Sequence, residues 1–206
     1  MFIIGITGGT GAGKTSALRA LRALGALTVD CDAAYHELLS DCAELKSELG
    51  DGFTGVLRDG DIDRKKLGEI VFSDPSALAK LNAITHKYVS GEIESRLEGW
   101  KAQGGTVAAI DAIALIESGR SKTCDVVIGV TAPLEIRLSR IMKRDGITRE
   151  QAQMRINAQK PDSFYKENCD HMLEGIYDTS GEFEEKCKEF FAEIIADYNT
   201  DRGCYV

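Results

Sequence analysis

Eight residues near the start of the chain, Gly8-Gly9-Thr10-Gly11-Ala12-Gly13-Lys14-Thr15, limit its possible folds more than any other segment. They spell G-x-x-x-x-G-K-T. They stand between the apolar run Phe2-Ile3-Ile4-Gly5-Ile6 and the helix-forming run Ser16-Ala17-Leu18-Arg19-Ala20-Leu21. Strand, glycine-rich turn and helix in that order predict a phosphate-binding loop. Glycines accept positive φ, so successive N–H groups turn inward and form a nest for phosphate oxygens at the positive end of the helix. Lys14 then reaches the β- and γ-phosphates, and Thr15 offers a hydroxyl to a Mg2+ that bridges them. The expected nucleotide-binding set is Gly8, Gly9, Gly11, Ala12, Gly13, Lys14, Thr15 and Ser16, with Lys14 also catalytic and Thr15 a Mg2+ ligand. The bland alternative, a turn that binds nothing, does not account for both flanks being present. The loop alone does not separate kinases, motors, switches and transporters.

Short apolar runs at residues 2–6, 27–29, 107–110 and 126–130, with a weaker one at 171–173, alternate with helical patterns. This predicts an α/β fold, a parallel sheet flanked by helices of the P-loop NTP hydrolase type. Helix starts are marked by Asp74-Pro75, by Thr148 with Gln151, and by Thr179 with Glu182. Phe183, Cys187, Phe190, Phe191, Ile194, Ile195 and Tyr198 recur at helical spacing as one apolar stripe, which reads as core. About 75 residues between the second and third strands lack a strong strand signal. They are expected to be a helical insertion, with helices over 33–49, 64–72 and 75–100 and a Gly-Asp-rich connector over 50–63. A chain of 206 residues suits one domain carrying such an insertion. Its expected parts are a core over about 1–32, 104–137 and 160–206, an acceptor-binding region over 33–103, and a lid over 138–159.

A net charge of −8 argues against a nucleic-acid or membrane-surface partner, because such polyanions repel the whole molecule. No apolar stretch is long enough to span a bilayer, and the first apolar run leads into the phosphate loop instead of forming a signal peptide. The expected location is therefore the cytoplasm. The six cysteines form no C-x-x-C pair and read as reduced thiols. Cys169 with His171 lacks the second ligand pair of a zinc site and reads as structural.

Three further sets of residues narrow the chemistry. Asp30 and Asp32 follow the second strand, and ligands in open α/β sheets lie beyond the carboxyl ends of strands. Asp32 is either the base that takes the proton of an acceptor hydroxyl or the cap of the next helix, or both. Asp111 ends the strand over 106–110 and reads equally as a Mg2+ ligand, direct or through water, and as a loop cap. Arg140 and Arg144 share a helical face, with Lys143 nearby, Arg155 on the next helix and a hinge-like Asp145-Gly146 between. Guanidinium groups suit charge on a transferring phosphoryl group, and closing helices exclude water. The alternative is a solvated basic face. Gln159-Lys160-Pro161-Asp162 imitates a guanine-reading N/T-K-x-D motif, but it starts with Gln and follows a helix, and Arg144-Asp145 lacks the other residues of the protein-kinase set.

Taken together these residues resemble the dephospho-coenzyme A kinase family over nearly the whole chain. The resemblance rests on the phosphate loop, on Leu24-Gly25 with Val29-Asp30-Cys31-Asp32, on 61–67 with Val71-Phe72, on 81–86, on Leu115-Ile116-Glu117, and on 140–145 with Ala152, Arg155-Ile156 and Gln159. It departs at Lys87, where proline is usual, at Ile113-Ala114 in place of Pro-Leu, and at Glu174, where asparagine is usual near the adenine. The resemblance implies transfer of the γ-phosphate of ATP to the ribose 3′-hydroxyl of dephospho-CoA, the closing step of coenzyme A synthesis, with Mg2+. Asp32 would then be the base, Arg140 a catalytic residue, Arg144 a nucleotide contact, and Asp32, Arg64, His86 and Asp111 acceptor contacts. The expected assembly is a monomer or weak oligomer. The rivals are a phosphate-loop kinase acting on a nucleotide or nucleoside, and a slow nucleotide-dependent switch.

Overall fold

In the computed structural model, which describes residues 1–177 and 179–203, the elements run in this order along the chain. They are β1 (Phe2–Thr7), α1 (Lys14–Ala23), β2 (Leu27–Asp30), α2 (Cys31–Asp41), α3 (Ala43–Gly52), β3 (Leu57–Arg58), β4 (Asp61–Ile62), α4 (Arg64–Ser73) and α5 (Pro75–Ala102). There follow β5 (Val107–Asp111), a short 3-10 turn (Arg120–Thr123), β6 (Val126–Thr131), α6 (Leu134–Asp145), α7 (Arg149–Asn157), α8 (Asp162–Asn168), β7 (His171–Glu174) and α9 (Ser180–Gly203). The chain divides into two units, Met1–Val29 with Trp100–Val206, and Asp30–Gly99.

The first unit is built on a five-stranded sheet of order β2-β5-β1-β6-β7. β1 pairs in parallel with β5, setting Ile6 opposite Asp111, and with β6, setting Thr7 opposite Gly129, while β6 pairs in parallel with β7. β1 and β6 are continuous apolar runs because helices cover both faces of a parallel sheet. Ile4, Ile6, Ile128 and Val130 are fully buried in the core they form with α1 and α9. The stripe on α9 is core as expected. Phe183, Cys187 and Phe191 are buried there, Phe190, Ile194 and Ile195 pack against them, and Tyr198 stacks on Phe2 with ring centroids 4.0 Å apart. At the end of α5, the indole of Trp100 covers Gly105, and its Nε1 donates to Val107 O at 2.9 Å.

α6 begins at Leu134, so it is one continuous helix across the expected core-to-lid boundary, with Arg137, Leu138 and Ile141 buried. Between α6 and α7, Gly146 adopts φ 65° and its N–H donates to Met142 O. The two helices are tied by Arg149 with Glu135 and by Arg155 with Asp145 at 2.5 Å. Thr148 and Gln151 form a full capping box, Gln151 N donating to Thr148 Oγ1 at 3.3 Å and Thr148 N to Gln151 Oε1 at 3.0 Å. Thr148→Ala is expected to destabilise the protein by about 1 kcal/mol and Thr148→Ser hardly at all, read as a shift of the urea midpoint at unchanged slope.

Cys169 is half-buried and His171 is exposed. Burial raises the Cys169 thiol to about 11, and the His171 ring meets Phe190 edge-on at 5.7 Å. The Cys124 and Cys187 thiols are likewise pushed up by burial, to about 11 and about 12. Cys204 lies outside the described residues.

The second unit departs from the sequence expectation in two places. The single helix expected over 33–49 is two, α2 and α3, separated at Cys42 with φ −90° and ψ 104°. In one continuous helix Leu39 and Leu45 would stand roughly 120° apart around the axis. The break lets both enter one core with Leu49, Phe53, Val56 and Ile84. Cys42 also starts α3, its Sγ accepting from Leu45 N at 3.4 Å. The connector over 50–63 contains an antiparallel hairpin, β3 with β4, so the stretch before β5 is not free of strands. Its two-residue turn is Asp59-Gly60, with φ 50° and 86°, the backbone that Asp-Gly favours. Lys87 continues α5 where a proline would remove an N–H, and it pairs with Glu48. The Glu48 carboxylate also accepts from Tyr88 OH at 2.8 Å, which raises that phenol to about 12.

Candidate active site

The phosphate loop leaves the carboxyl end of β1 at the middle of its sheet. Gly8 has φ 136°, and a Cβ there would fall 2.1 Å from Val130 O, so the chain bends here only without a side chain. Gly13, at φ 117°, turns the chain into α1, and Ser16, buried, donates its N–H to Gly13 O at 2.9 Å. The first amides of α1 lie at the positive end of a ten-residue helix, where no earlier carbonyl of the helix can reach them. Lys14 folds back across the loop and donates from Nζ to Gly8 O at 2.9 Å. Thr15 is exposed in the first turn, and Ala12 is buried.

α6 lies along the outer side of this loop. Arg140 donates from NH1 to Gly11 O at 3.2 Å and Ala12 O at 3.3 Å, and from NH2 to Gly175 O at 2.9 Å. Burial lowers its guanidinium below the ordinary arginine range. It thus joins the loop to the segment after β7, next to Glu174. Arg144 donates from Nε and NH2 to Asp145, at 2.6 and 2.9 Å, and its NH2 stands 3.4 Å from Thr10 Oγ1. The Arg144 and Arg155 guanidinium groups hold the Asp145 carboxyl below its usual range. Asp145, beside Gly146 in the hinge-like segment, also makes an ionic tie between α6 and α7.

Sequence reasoning passed over Arg137. It is 5% exposed and donates from Nε to Thr10 O at 3.0 Å, from NH2 to Gln159 Oε1 at 3.3 Å and from NH1 to Asp162 Oδ1 at 3.2 Å. The signal was its spacing. Residues 137, 140 and 144 stand at i, i+3 and i+7, so all three arginines share one stripe. Gln159 and Asp162, the ends of the guanine-motif imitation, are partners of that buried arginine.

Asp111 is the last residue of β5, half-buried and opposite Ile6, two residues ahead of Gly8. The structure therefore groups it with the loop, α6 and the 174–175 segment at one end of the sheet. Beside β5, Thr7 Oγ1 donates to Ile113 O at 3.1 Å, and Leu115 is fully buried.

In the second unit the cap of α2 is Asp30, whose Oδ1 accepts from Ala33 N at 3.0 Å. Asp32 is exposed one step inside the helix, and the capping role considered for it belongs to its neighbour. Asp32, His36 and Ser40 follow at i, i+4 and i+8 along one face of α2. Arg64, at the start of α4, meets that row, with NH1 3.4 Å from His36 Nδ1 and NH2 donating to Ser40 Oγ at 3.3 Å and to His36 O at 3.4 Å. Tyr35 lies in the same neighbourhood, its phenol raised by burial against the opposing pull of Arg64. His86 is exposed on α5.

A family model described as dephospho-CoA kinase matches residues 2–178. The dephospho-CoA kinase of Thermobifida fusca is 39% identical over 189 residues, 90% of each chain. A solved Thermus thermophilus protein aligns with TM-score 0.80 at 30% identity, covering 93% of this chain and 97% of its own. The solved dephospho-CoA kinase of Campylobacter jejuni aligns with TM-score 0.67 at 25% identity, covering 93% and 96%. With its phosphate loop and parallel sheet, this chain belongs to the dephospho-CoA kinase family of transferases.

Proposed function

We propose that this chain transfers the γ-phosphoryl group of ATP to the ribose 3′-hydroxyl of dephospho-CoA, giving coenzyme A and ADP, with the loop over 8–16 holding the triphosphate. The loop carries this reading. Its glycines take backbone angles that side chains reject, its lysine reaches across it, and its outward carbonyls are held by arginines. Phosphoryl transfer asks little covalent work of a protein and depends on positioning and charge. In our proposal Lys14 neutralises the β- and γ-phosphates. Arg140 fixes the loop through its carbonyls and offsets charge as it spreads over the transferring group. Arg144 contacts the nucleotide from beside Thr10.

Asp32 accepts the proton as the 3′-oxygen attacks phosphorus and the bond to the β-phosphate oxygen breaks. Arg64 and His86 bind the acceptor, and the bonds of Arg64 to His36 and Ser40, which share a face of α2 with Asp32, support its part in this. Thr15 and Asp111 are hard oxygen donors at the loop end of the sheet, suited to Mg2+, with Asp111 able to touch the acceptor instead. Mg2+ takes one or two protein oxygens and completes its shell with phosphates and water, so it needs no cage of protein ligands. When bound it would neutralise charge on the β- and γ-phosphates. No helix among the described residues is long and apolar enough to cross a membrane. We place the enzyme in the cytoplasm as a monomer or weak oligomer, with no nucleic-acid or membrane partner.

ADP release measured with dephospho-CoA, a panel of nucleosides and nucleotides, or water as acceptor tests the proposal. Strong stimulation by dephospho-CoA alone is expected. Equal or better turnover with a nucleoside or nucleotide would reassign the acceptor. Slow release that no hydroxyl acceptor stimulates would mark a switch.

A further inference from the structure

Thr10 occupies a variable position of the phosphate-loop motif. Nevertheless, its N–H, carbonyl and hydroxyl are all met by the helical segment after β6. The N–H donates to Gln159 Oε1 at 2.8 Å, the carbonyl accepts from Arg137 Nε at 3.0 Å, and Oγ1 lies 3.4 Å from Arg144 NH2. The N–H belongs to the 9–10 peptide and the carbonyl to the 10–11 peptide, so two successive peptide planes are pinned. Arg137 and Gln159 also bond to each other at 3.3 Å, closing a ring of main chain, amide and guanidinium. The guanidinium lies close against Gly9, where a Cβ would fall 2.2 Å from NH2.

We infer that Gln159 and Arg137 are positioning residues that set the two peptides around Thr10, so that the phosphate cradle takes its working shape only with the 134–159 helices in place. This rests on the proposed phosphate binding by the loop. In a trans peptide the N–H and C=O point in opposite directions. Turning Thr10 O outward to Arg137 therefore turns the N–H of Gly11 inward, toward the phosphates. Arg140 does the same for the 12–13 peptide through Ala12 O, and it also holds Gly11 O, whose peptide has its N–H, that of Ala12, bonded to Gly9 O at 3.3 Å. Arg137, buried with one acceptor at each of its three nitrogens, holds that orientation without facing the nucleotide itself.

The chemistry of Gln159 supplies a sharp test. Its Oε1 acts only as an acceptor here, toward Thr10 N–H and Arg137 NH2. Gln159→Glu keeps that acceptor, whereas Gln159→Met keeps the length and removes it. The Met variant is expected to bind a nonhydrolysable ATP analogue about tenfold more weakly in calorimetry and to raise KM for ATP equally, with KM for dephospho-CoA unchanged. The Glu variant should stay within about twofold of the parent in both, the direction a mere change of stability would not produce. The inference is overturned if the Met variant binds the analogue as the parent does, or if the Glu variant is as weak as the Met variant. Analogue binding needs no acceptor. Loss in the Met variant of a parent chain that binds the analogue but ignores dephospho-CoA would therefore sink the acceptor assignment and leave this inference standing.

Discussion

Replacing Lys14 by alanine is expected to lower kcat/KM for ATP by about 10²–10³-fold. The ammonium is already poised over the loop, donating to Gly8 O at 2.9 Å, so little rearrangement separates that position from the phosphates. Its charge serves the bound triphosphate and serves the transition state more, because negative charge builds on the bridging oxygen as the bond to phosphorus stretches. Both KM for ATP and kcat should therefore change, which a purely ground-state contact would not do. The fold should survive, since Lys14 is not among the residues of the core beneath α1. Lys14→Arg should restore little, because a planar fork does not replace a compact point charge in so tight a turn. ADP release at saturating acceptor, with analogue binding measured in parallel, checks both parts. Kinetics like those of the parent would refute the whole site.

The second large effect belongs to Asp32. Asp32→Asn is expected to reduce kcat by about 10²–10⁴-fold while leaving the affinity for ATP nearly intact. An amide keeps the size and polarity of the carboxylate but cannot take a proton. The structure makes this substitution clean. Asp30 caps α2, so changing Asp32 keeps that cap and removes only a first-turn charge, at a cost of about 0.3–1 kcal/mol. Asp30→Ala is the complementary control, expected to cost stability by about 1 kcal/mol through lost capping and to leave proton transfer alone. Full turnover by Asp32→Asn would remove the base assignment.

Local chemistry was legible in the sequence. Glycines that need positive φ, the apolar runs of a sheet covered on both faces, the Thr148 and Thr179 helix starts and the α9 stripe all depend on residues close together in the chain, and all are found in the structure. Features set by distant packing were harder to read. The break at Cys42 follows from where Leu39 and Leu45 must both point, and no glycine or proline marks it. The β3-β4 hairpin did carry a signal, Asp59-Gly60, hidden by strands only two residues long. Within the candidate site, the loop could be read residue by residue. The burial of Arg137 depended on Thr10, Gln159 and Asp162, which lie up to 127 positions away in the chain.

Trp100 gives the molecule an intrinsic optical probe. It is the sole tryptophan of the sequence, and its indole is fastened to the backbone of Val107 at the start of β5. Detachment of the end of α5 from that strand would expose one indole to water and shift the tryptophan emission band, with no second tryptophan to confuse it. Progress of unfolding at this corner can thus be followed in the unlabelled chain, and a companion signal from backbone dichroism would reveal whether the helices are lost in the same step.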